Sequence, residues 1–346
     1  MSEREDEDIE TPRRRPRYSG KYPRRFEEKY KELNPTVDPE TIQKVLESGK
    51  TPAGMHRPIM VAEILDALAI QPGDVVVDAT LGWGGHTERM LPLTRPGGMV
   101  VGLDCDPIEL PRTEERLRMA GFGPEEFRVA RSNFSGLPKV LAELGLDGAD
   151  AVLADLGLSS MQIDNPARGF SVKFDGPLDM RMNPSRGLSA ADWLARVTPA
   201  RLAQALEFDS DEPDAEVIAA AISGRRFQGT RALADAVRKA STARTGEERD
   251  LTVRRVFQAI RIEVNDEFGA LESFLRVLPS CLRPGARVAI MSFHSGEDRR
   301  VKKSFKAGLL DGTYSEISDE VIRAASAERR DNPRSTPARL RWARRA

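Results

Sequence analysis

Short apolar runs recur along the chain and alternate with stretches of helical period. Four of these runs, each ending at a polar or turn residue, are typical of buried strands and cover residues 75–78, 99–104, 127–130 and 151–155. The helical stretches between them predict βαβ units and therefore a parallel sheet. Right-handed crossovers place the loops that follow such strands along one edge of the sheet, which is where α/β proteins bind ligands.

The pattern changes after Asp155. The next run that predicts a strand is 287–292, and one long amphipathic helix before it is predicted to close at Pro284 and Gly285. Its stripe consists of Phe257, Ile260, Val264, Phe268, Leu271, Leu275 and Leu278. Three apolar patches of helical period lie within residues 164–250, at 202–206, 217–222 and 233–237. We therefore predict an α/β sheet domain over residues 56–163 and 251–346, an inserted helical domain over 164–250, and a disordered, basic and polar extension over 1–55.

Charge is unevenly distributed, although the formal net charge is only −1. Residues 11–25 carry seven Lys or Arg and no acid, and residues 321–346 carry eight Arg against two acids. Such clusters are typical of surfaces that bind polyanions such as RNA, but solvated tails have the same composition. For the C-terminal cluster, the alternative is a last sheet strand in which Leu340 and Trp342 face inward.

Composition excludes several other classes of protein. Two cysteines, Cys105 and Cys281, predict neither a metal site nor a disulfide framework, which favours a reducing compartment. No apolar run is long enough to cross a membrane, and the polar start is unlike a secretory signal. We expect a cytoplasmic protein with no bound metal and no membrane partner.

The strongest chemical signal is the loop at 78–86, which reads Asp-Ala-Thr-Leu-Gly-Trp-Gly-Gly-His after a predicted strand. Its glycines allow a close backbone approach to a ligand, and Asp104 ends the next strand, where a carboxylate binds ribose hydroxyls. Asp78 would repel a pyrophosphate but suits the sulfonium and ammonium groups of S-adenosylmethionine. We favour that cofactor over a dinucleotide or a purely structural turn.

Three further segments combine glycine, aspartate, serine and arginine with apolar residues, as ligand-binding loops near a core do. They are residues 155–164, 168–171 and 176–182. Ordinary turn chemistry is the alternative for Ser159, Ser160 and Asn165.

With these segments the chain resembles the RsmH/MraW family of small-subunit ribosomal RNA (cytosine-N4)-methyltransferases. The matching motifs are His56-Arg57-Pro58, the loop at 78–86, and residues 103–107, 155–164, 168–171, 176–182, 257–262, 292–299 and 332–334. Gly-Pro-Leu-Asp-Met-Arg-Met at 176–182 and Ser-Phe-His-Ser at 292–295 are the most specific of these.

This resemblance implies a Rossmann-like class I methyltransferase fold and N4-methylation of a cytidine in the decoding region of 16S rRNA. The insert would then recognise the substrate, and the partners would be small-subunit rRNA and the assembling 30S subunit; a homodimer is left open. The cofactor contacts that the family implies fall on Gly84, Gly85, His86, Asp104, Phe134, Asp155 and Gln162. Packing in the core is the alternative for Phe134.

The chain departs from the family pattern on the presumed substrate side. Residues 250–254 and 210–213 differ from the family's usual sequence, and Gly296 stands where the family has leucine. Residues 1–55 have no counterpart that we recognise, and 306–330 is short. These changes leave the cofactor residues intact.

The exocyclic amine of cytosine is a poor nucleophile, so the site must orient it and accept a proton. Asp155 is the first candidate for that role, followed by Asp179 and then His294; cofactor binding alone is the alternative for Asp155. Arg168, Arg181 and Arg299 are candidates for RNA contacts, with surface ion pairs as the alternative. Two other functions remain open: a non-catalytic RNA-binding assembly factor, and a methyltransferase for another substrate.

Overall fold

The computed structural model describes residues 58–346, which lie within the compact unit His56–Ala346. The predicted disorder of residues 1–55 and the motif residues His56 and Arg57 fall outside the described residues.

A single seven-stranded sheet organises the described residues, with the strand order β3-β2-β1-β4-β5-β7-β6. Strands β1 to β5 are parallel, whereas β7 runs antiparallel to both β5 and β6. The strands are β1 Val75–Asp78, β2 Met99–Asp104, β3 Phe127–Arg131, β4 Ala149–Asp155, β5 Leu282–Ser292, β6 Tyr314–Ile317 and β7 Arg339–Arg345. The predicted α/β class and the four predicted parallel strands are confirmed, and the strand predicted over 287–292 lies within β5.

Thirteen α-helices surround or extend this sheet in residues 58–346. They are α1 Val61–Leu68, α2 Gly85–Thr94, α3 Glu109–Met119, α4 Leu137–Glu143, α5 Ser160–Asp164, α6 Ala190–Leu194, α7 Pro199–Ser210, α8 Ala215–Ile222, α9 Thr230–Ala240, α10 Gly246–Asn265, α11 Glu267–Cys281, α12 Ser295–Leu310 and α13 Ser326–Asp331. None of these helices is long and apolar enough to cross a membrane.

The sheet is buried on both faces because its side chains alternate between two cores. Val76 and Leu153 belong to the core that includes residues of α1, α2 and α3, and Val77 and Val152 to the core that includes residues of α4, α11 and α12. This double burial explains why the strands read as continuous apolar runs.

A third core lies within the helices α6 to α10 and includes Leu206, Ile218, Val237 and Ile260. The three helical patches predicted between residues 202 and 237 form α7, α8 and α9. Helix α10 continues through the predicted boundary at residues 250 and 251. The use of this helical region in substrate recognition stays a prediction.

The prediction of one long helix before β5 is wrong. Asp266 adopts a left-handed conformation with φ 49° and separates α10 from α11. Helix α10 contributes Ile260 to the third core, whereas α11 contributes Leu271 and Leu275 to a sheet core. The chain therefore turns where it passes from one core to another, which a continuous apolar stripe does not reveal. Pro284 and Gly285, predicted to close the helix, lie within β5.

The C-terminal arginine cluster includes strand β7. Leu340 is fully buried and Trp342 is packed against the same sheet core, as expected of a last strand. Arg341 is also buried, and its Nε donates to Oδ1 of Asp298 at 2.7 Å. Arg345 donates to the carbonyl oxygen of Thr313 at 2.6 Å. The expectation that this segment is mainly an RNA surface is not supported at these two arginines.

Candidate active site at the carboxyl edge of the sheet

The strand order reverses beside β1, because β2 lies on one side of it and β4 on the other. Ligands of open α/β sheets bind at such a switch point, outside the carboxyl ends of the strands. Asp78 ends β1, Asp104 ends β2 and Asp155 ends β4, so three predicted site carboxylates meet at this edge.

The glycine loop after β1 is held close to α3. Gly82 and Gly84 have φ values of +50° and +77°, which favour glycine. A Cβ on Gly84 would lie 3.0 Å from carbon atoms of both Thr113 and Leu117, so a side chain would push α3 away. The Thr113 hydroxyl also donates to the Gly82 carbonyl oxygen at 2.5 Å. Helix α2 then begins at Gly85.

Asp78 and Asp104 each accept two hydrogen bonds from the protein. Asp78 is buried and accepts from the backbone N–H of Thr80 at 3.2 Å and from the Thr87 hydroxyl at 2.7 Å. Asp104 accepts two backbone N–H groups, from Gly82 and Asp106, both at 2.8 Å. Each Asp104 oxygen keeps a lone pair for a further donor, as ribose binding requires. Burial raises the pKa of Asp104 to about 6 despite these hydrogen bonds.

Asp155 lies between the cofactor loop and the loop that follows β4. Its backbone N–H donates to the Thr80 hydroxyl oxygen at 2.6 Å, which links the ends of the two adjacent strands. Its Oδ2 lies 3.7 Å from Nδ1 of His86. Its Oδ1 is buried and accepts no hydrogen bond from residues 58–346. A buried carboxylate oxygen without a donor is costly, whereas the side chain as a whole is 28% exposed, so the carboxyl group is open to a ligand.

The protonation of Asp155 is shifted toward neutral pH. Burial raises the pKa of Asp155 to about 7; His86 opposes the increase, and the charges of Asp78 and Glu297 add to it. Burial likewise raises the pKa of Asp78. A carboxylate with a pKa close to the working pH is a better proton acceptor than one at its ordinary value.

Asp106 connects the cofactor loop to the loop after β4, and sequence reasoning gave it no separate role. It is fully buried and accepts from Nε2 of Gln162 at 2.9 Å and from Nη1 of Arg168 at 2.7 Å. Gln162 also accepts from the backbone of Ser159, which forms the capping box of α5. The Asp-x-Asp spacing after β2 was the available sequence signal.

Arg168, predicted to contact RNA, has an internal role instead. Its side chain is 8% exposed, and besides Asp106 it donates to the carbonyl oxygens of Arg181 and Met182, each at 2.9 Å. The guanidinium therefore holds two loops together and is not on the surface. Arg299 remains accessible, because its side chain is 60% exposed and lies 3.9 Å from Asp211.

Asp179 and Arg181 form a forked ion pair. Two nitrogens of Arg181 donate to Asp179, at 2.9 and 2.6 Å. Burial would raise the pKa of Asp179, but the hydrogen bonds and charge of Arg181 lower it overall. Asn265, at the end of α10, accepts from the Met182 N–H and donates to the Met180 carbonyl oxygen. Sequence reasoning did not identify Asn265, which lies outside the family motif at 257–262.

His294 lies directly before α12. Its Nε2 is 3.2 Å from Oε1 of Glu297, and its ring lies 5.5 Å from the ring of Phe268. The other Glu297 oxygen accepts the backbone N–H of Phe293 at 2.8 Å. These contacts place the His294 ring between Glu297 and Phe268. The negative charge of Glu297 also helps to raise the pKa of Asp155.

Phe134 lies in the short turn after β3 and is half-buried. Its ring packs on the ring of Phe274 at 5.3 Å, so part of it belongs to a sheet core. The turn lies near the carboxyl end of β2, because the N–H of Ser132, just before it, donates to the Asp104 carbonyl oxygen at 3.1 Å.

Together these residues fit an adenosine cofactor with a positively charged centre. The glycine loop offers close backbone approach, Asp104 keeps two acceptor positions, and the free Asp155 oxygen lies beside the loop. No cluster of His, Cys, Asp or Glu with the geometry of a metal site occurs in residues 58–346.

Comparison with known proteins identifies the family. Residues 53–346 match the MraW methylase family. The chain belongs to this family. It is therefore a methyltransferase, and S-adenosylmethionine is the cofactor that membership assigns to it.

The chain is similar to named proteins over most of its length. It is 49% identical to "Ribosomal RNA small subunit methyltransferase H 1" of Lachnoclostridium phytofermentans, over 96% of this chain and 92% of that protein. It is 47% identical to a protein of the same name from Agathobacter rectalis, over 96% of this chain and 98% of that protein. It is 40% identical to "Ribosomal RNA small subunit methyltransferase H" of Geobacter sulfurreducens, over 83% and 98%.

These alignments show that the expectation of no counterpart for residues 1–55 is wrong. An alignment that covers 96% of the chain necessarily includes most of those residues. The alignment with the Geobacter sulfurreducens protein is shorter and covers 83% of this chain. At least two relatives therefore share sequence with the N-terminal extension.

Proposed function

We propose that this methyltransferase transfers a methyl group to N4 of a cytidine in the decoding region of small-subunit rRNA. Support comes from relatives named ribosomal RNA small subunit methyltransferase H, aligned over nearly the full chain at 47–49% identity. The motifs at 176–182 and 292–295 that carry the cytosine-N4 resemblance form part of two ordered loops around the candidate site.

The observation that carries the chemistry is the free oxygen of Asp155. It is buried, accepts no hydrogen bond from residues 58–346, and belongs to a carboxyl group whose pKa is raised to about 7. The Asp155 side chain as a whole is 28% exposed, so an amine N–H of cytosine can donate to its carboxyl group. That hydrogen bond orients the nitrogen and draws electron density toward it, which a delocalised amine requires.

His86 completes the proton acceptor. Its Nε2 lies 3.0 Å from the carbonyl oxygen of Ile59, and a carbonyl only accepts, so Nε2 carries a proton. In the neutral ring Nδ1 is then unprotonated and faces Oδ2 of Asp155. When the amine nitrogen gains the methyl group, it releases one proton, which the Asp155–His86 pair takes up.

When bound, S-adenosylmethionine supplies an electrophilic methyl group. We assign its binding to the backbone of Gly84 and Gly85, to Asp104 at the ribose, and to the exposed face of Phe134 near the adenine. Gln162 supports this site through Asp106, and Asp155 lies where the methionine part and the target amine meet. We expect Asp155 to contact both.

Asp179 and His294 are assigned to positioning. The lowered pKa of Asp179, paired with Arg181, makes its carboxylate a weak base. His294 fixes the start of α12 through Glu297. Arg181 and Arg299 stay candidates for RNA contacts, and small-subunit rRNA within the assembling 30S subunit is the proposed partner.

The test is mass-spectrometric mapping of N4-methylcytidine in small-subunit rRNA from cells that lack this protein. We expect one modified cytidine in the decoding region to lose its methyl group and to regain it with the wild-type gene but not with Asp155→Asn. Restoration by Asp155→Asn would show that Asp155 is not needed for methyl transfer. An unchanged rRNA with cofactor turnover on another acceptor would indicate a different substrate.

A further inference from the structure

Helix α12 carries a row of basic side chains that starts at the active-site edge. The helix begins at Ser295, immediately after the carboxyl end of β5 at Ser292. Its exposed basic residues are spaced i, i+3, i+4 and i+7, so they share one face. We call this set the α12 stripe; it consists of Arg299, Lys302, Lys303 and Lys306. At 1.5 Å per residue it extends over roughly 10 Å.

The charge of the stripe is not neutralised within residues 58–346. No carboxylate there lies within 4.0 Å of the ammonium group of Lys302, Lys303 or Lys306, and Arg299 reaches only Asp211, at 3.9 Å. By contrast, Arg300 on the same helix pairs with Glu272 at 2.8 Å. The stripe is therefore locally positive on a chain whose net charge is −1.

A small hollow, with room for about one water molecule, lies beside the stripe. It lies between α12 and the strands β6 and β7, and is lined by Lys302, Phe305, Lys306, Ile317, Ser318 and Arg341. Cationic side chains thus lie on both sides of it, two from the helix and one from β7. Asp298 already neutralises Arg341, so the two lysines supply its uncompensated charge.

We propose that the α12 stripe binds the phosphate backbone of the RNA strand that carries the target cytidine. This inference rests on the proposed function. A target base must be unstacked to reach Asp155, so its backbone has to be held beyond the site. Lysines bind phosphate as point charges without reading bases, which suits a contact that positions the strand. The stripe extends away from the edge at which the base would enter.

The test measures the affinity of the purified full chain for small-subunit rRNA across a series of salt concentrations. The variants are Lys302→Gln, Lys303→Gln and Lys306→Gln. The control is Arg95→Gln, which also removes one exposed positive charge; this arginine is paired with Glu126 and lies at the opposite edge of the sheet, just before β2. Thermal unfolding confirms that every variant is folded, and methyl transfer is measured in parallel at saturating RNA.

Each stripe variant should lower the slope of log affinity against log salt by about 0.7, and weaken binding roughly three- to fivefold near physiological salt. The control should do neither, and the turnover number at saturating RNA should stay at the wild-type value. Unchanged slopes in all three stripe variants, with wild-type binding and methylation intact, overturn the stripe alone. A wild-type protein that neither binds nor methylates this RNA overturns the proposed function as well.

Discussion

Nδ1 of His86 lies 3.7 Å from Oδ2 of Asp155, while Nε2 of the same ring lies 3.0 Å from the carbonyl oxygen of Ile59. The second contact fixes where the ring proton resides and leaves Nδ1 to face the carboxylate. Helix α2 supplies the histidine and strand β4 the aspartate, and both elements pack in the sheet cores. The pair is therefore positioned before any substrate arrives, as efficient proton transfer requires.

Asp155→Asn should stabilise the protein at high pH. Because burial raises the pKa of Asp155 to about 7, the wild type loses stability as the pH rises from about 4 through about 7. The uncharged amide avoids that loss. We expect a gain on the order of 1–3 kcal/mol in unfolding free energy at pH 8 and none at pH 4, from denaturant titrations. An equal difference at both pH values would contradict the assigned protonation.

Asp104→Ala should weaken cofactor binding. The carboxylate is the proposed acceptor for the ribose hydroxyls, and losing such a charged hydrogen bond costs about 1.5–3 kcal/mol. Titration calorimetry with S-adenosylhomocysteine measures this directly, and NAD should not bind to either protein. Because Asp104 also accepts the N–H groups of Gly82 and Asp106, thermal unfolding of Asp104→Ala is the control for loop structure. Wild-type affinity in Asp104→Ala would remove Asp104 from the cofactor site.

Arg168→Gln should act on stability and not on RNA contacts. It leaves the buried carboxylate of Asp106 without its cation, and breaking such a pair costs about 3–5 kcal/mol. The salt slope of RNA binding should stay at the wild-type value under conditions where the variant is folded. A slope lowered by about 0.7 would show that Arg168 contacts a phosphate after all.

Gly296→Leu tests the departure from the family pattern. A Cβ at Gly296 would lie 2.6 Å from Cζ of Phe268, so the ring occupies the space that a leucine needs. We expect the substitution to cost about 1–3 kcal/mol, as overpacking does. Combined with Phe268→Ala, it should cost less than the sum of the two single variants, by about 1 kcal/mol or more in a double-mutant cycle. Strict additivity would show that the two positions are independent.

The parallel strands could be predicted because burial on both faces leaves a continuous apolar run, and their carboxyl ends then located Asp78, Asp104 and Asp155 at one edge. The break between α10 and α11 at Asp266 could not be predicted. The apolar stripe continues through both helices, although they pack in two different cores. Strand β6 was also missed, because its middle residues Ser315 and Glu316 are polar and exposed and interrupt the apolar pattern.

The roles of individual charged side chains were the least predictable. Arg168 and Arg299 look alike in sequence, yet one is buried against Asp106 and the other is exposed. Asn265 accepts a hydrogen bond from Met182, which lies 83 residues earlier in the chain. No local sequence pattern indicates such a contact. Partners brought together by tertiary structure decide whether an arginine holds a loop or faces solvent.

The most direct test of the account is the single-turnover rate of methyl transfer to small-subunit rRNA by Asp155→Asn, measured at saturating cofactor beside its cofactor affinity. If Asp155 accepts the amine proton, the rate should fall by about 10²-fold or more while cofactor affinity changes only a few-fold. A rate that returns to the wild-type value once cofactor saturates would contradict the account and make Asp155 a cofactor-binding residue only.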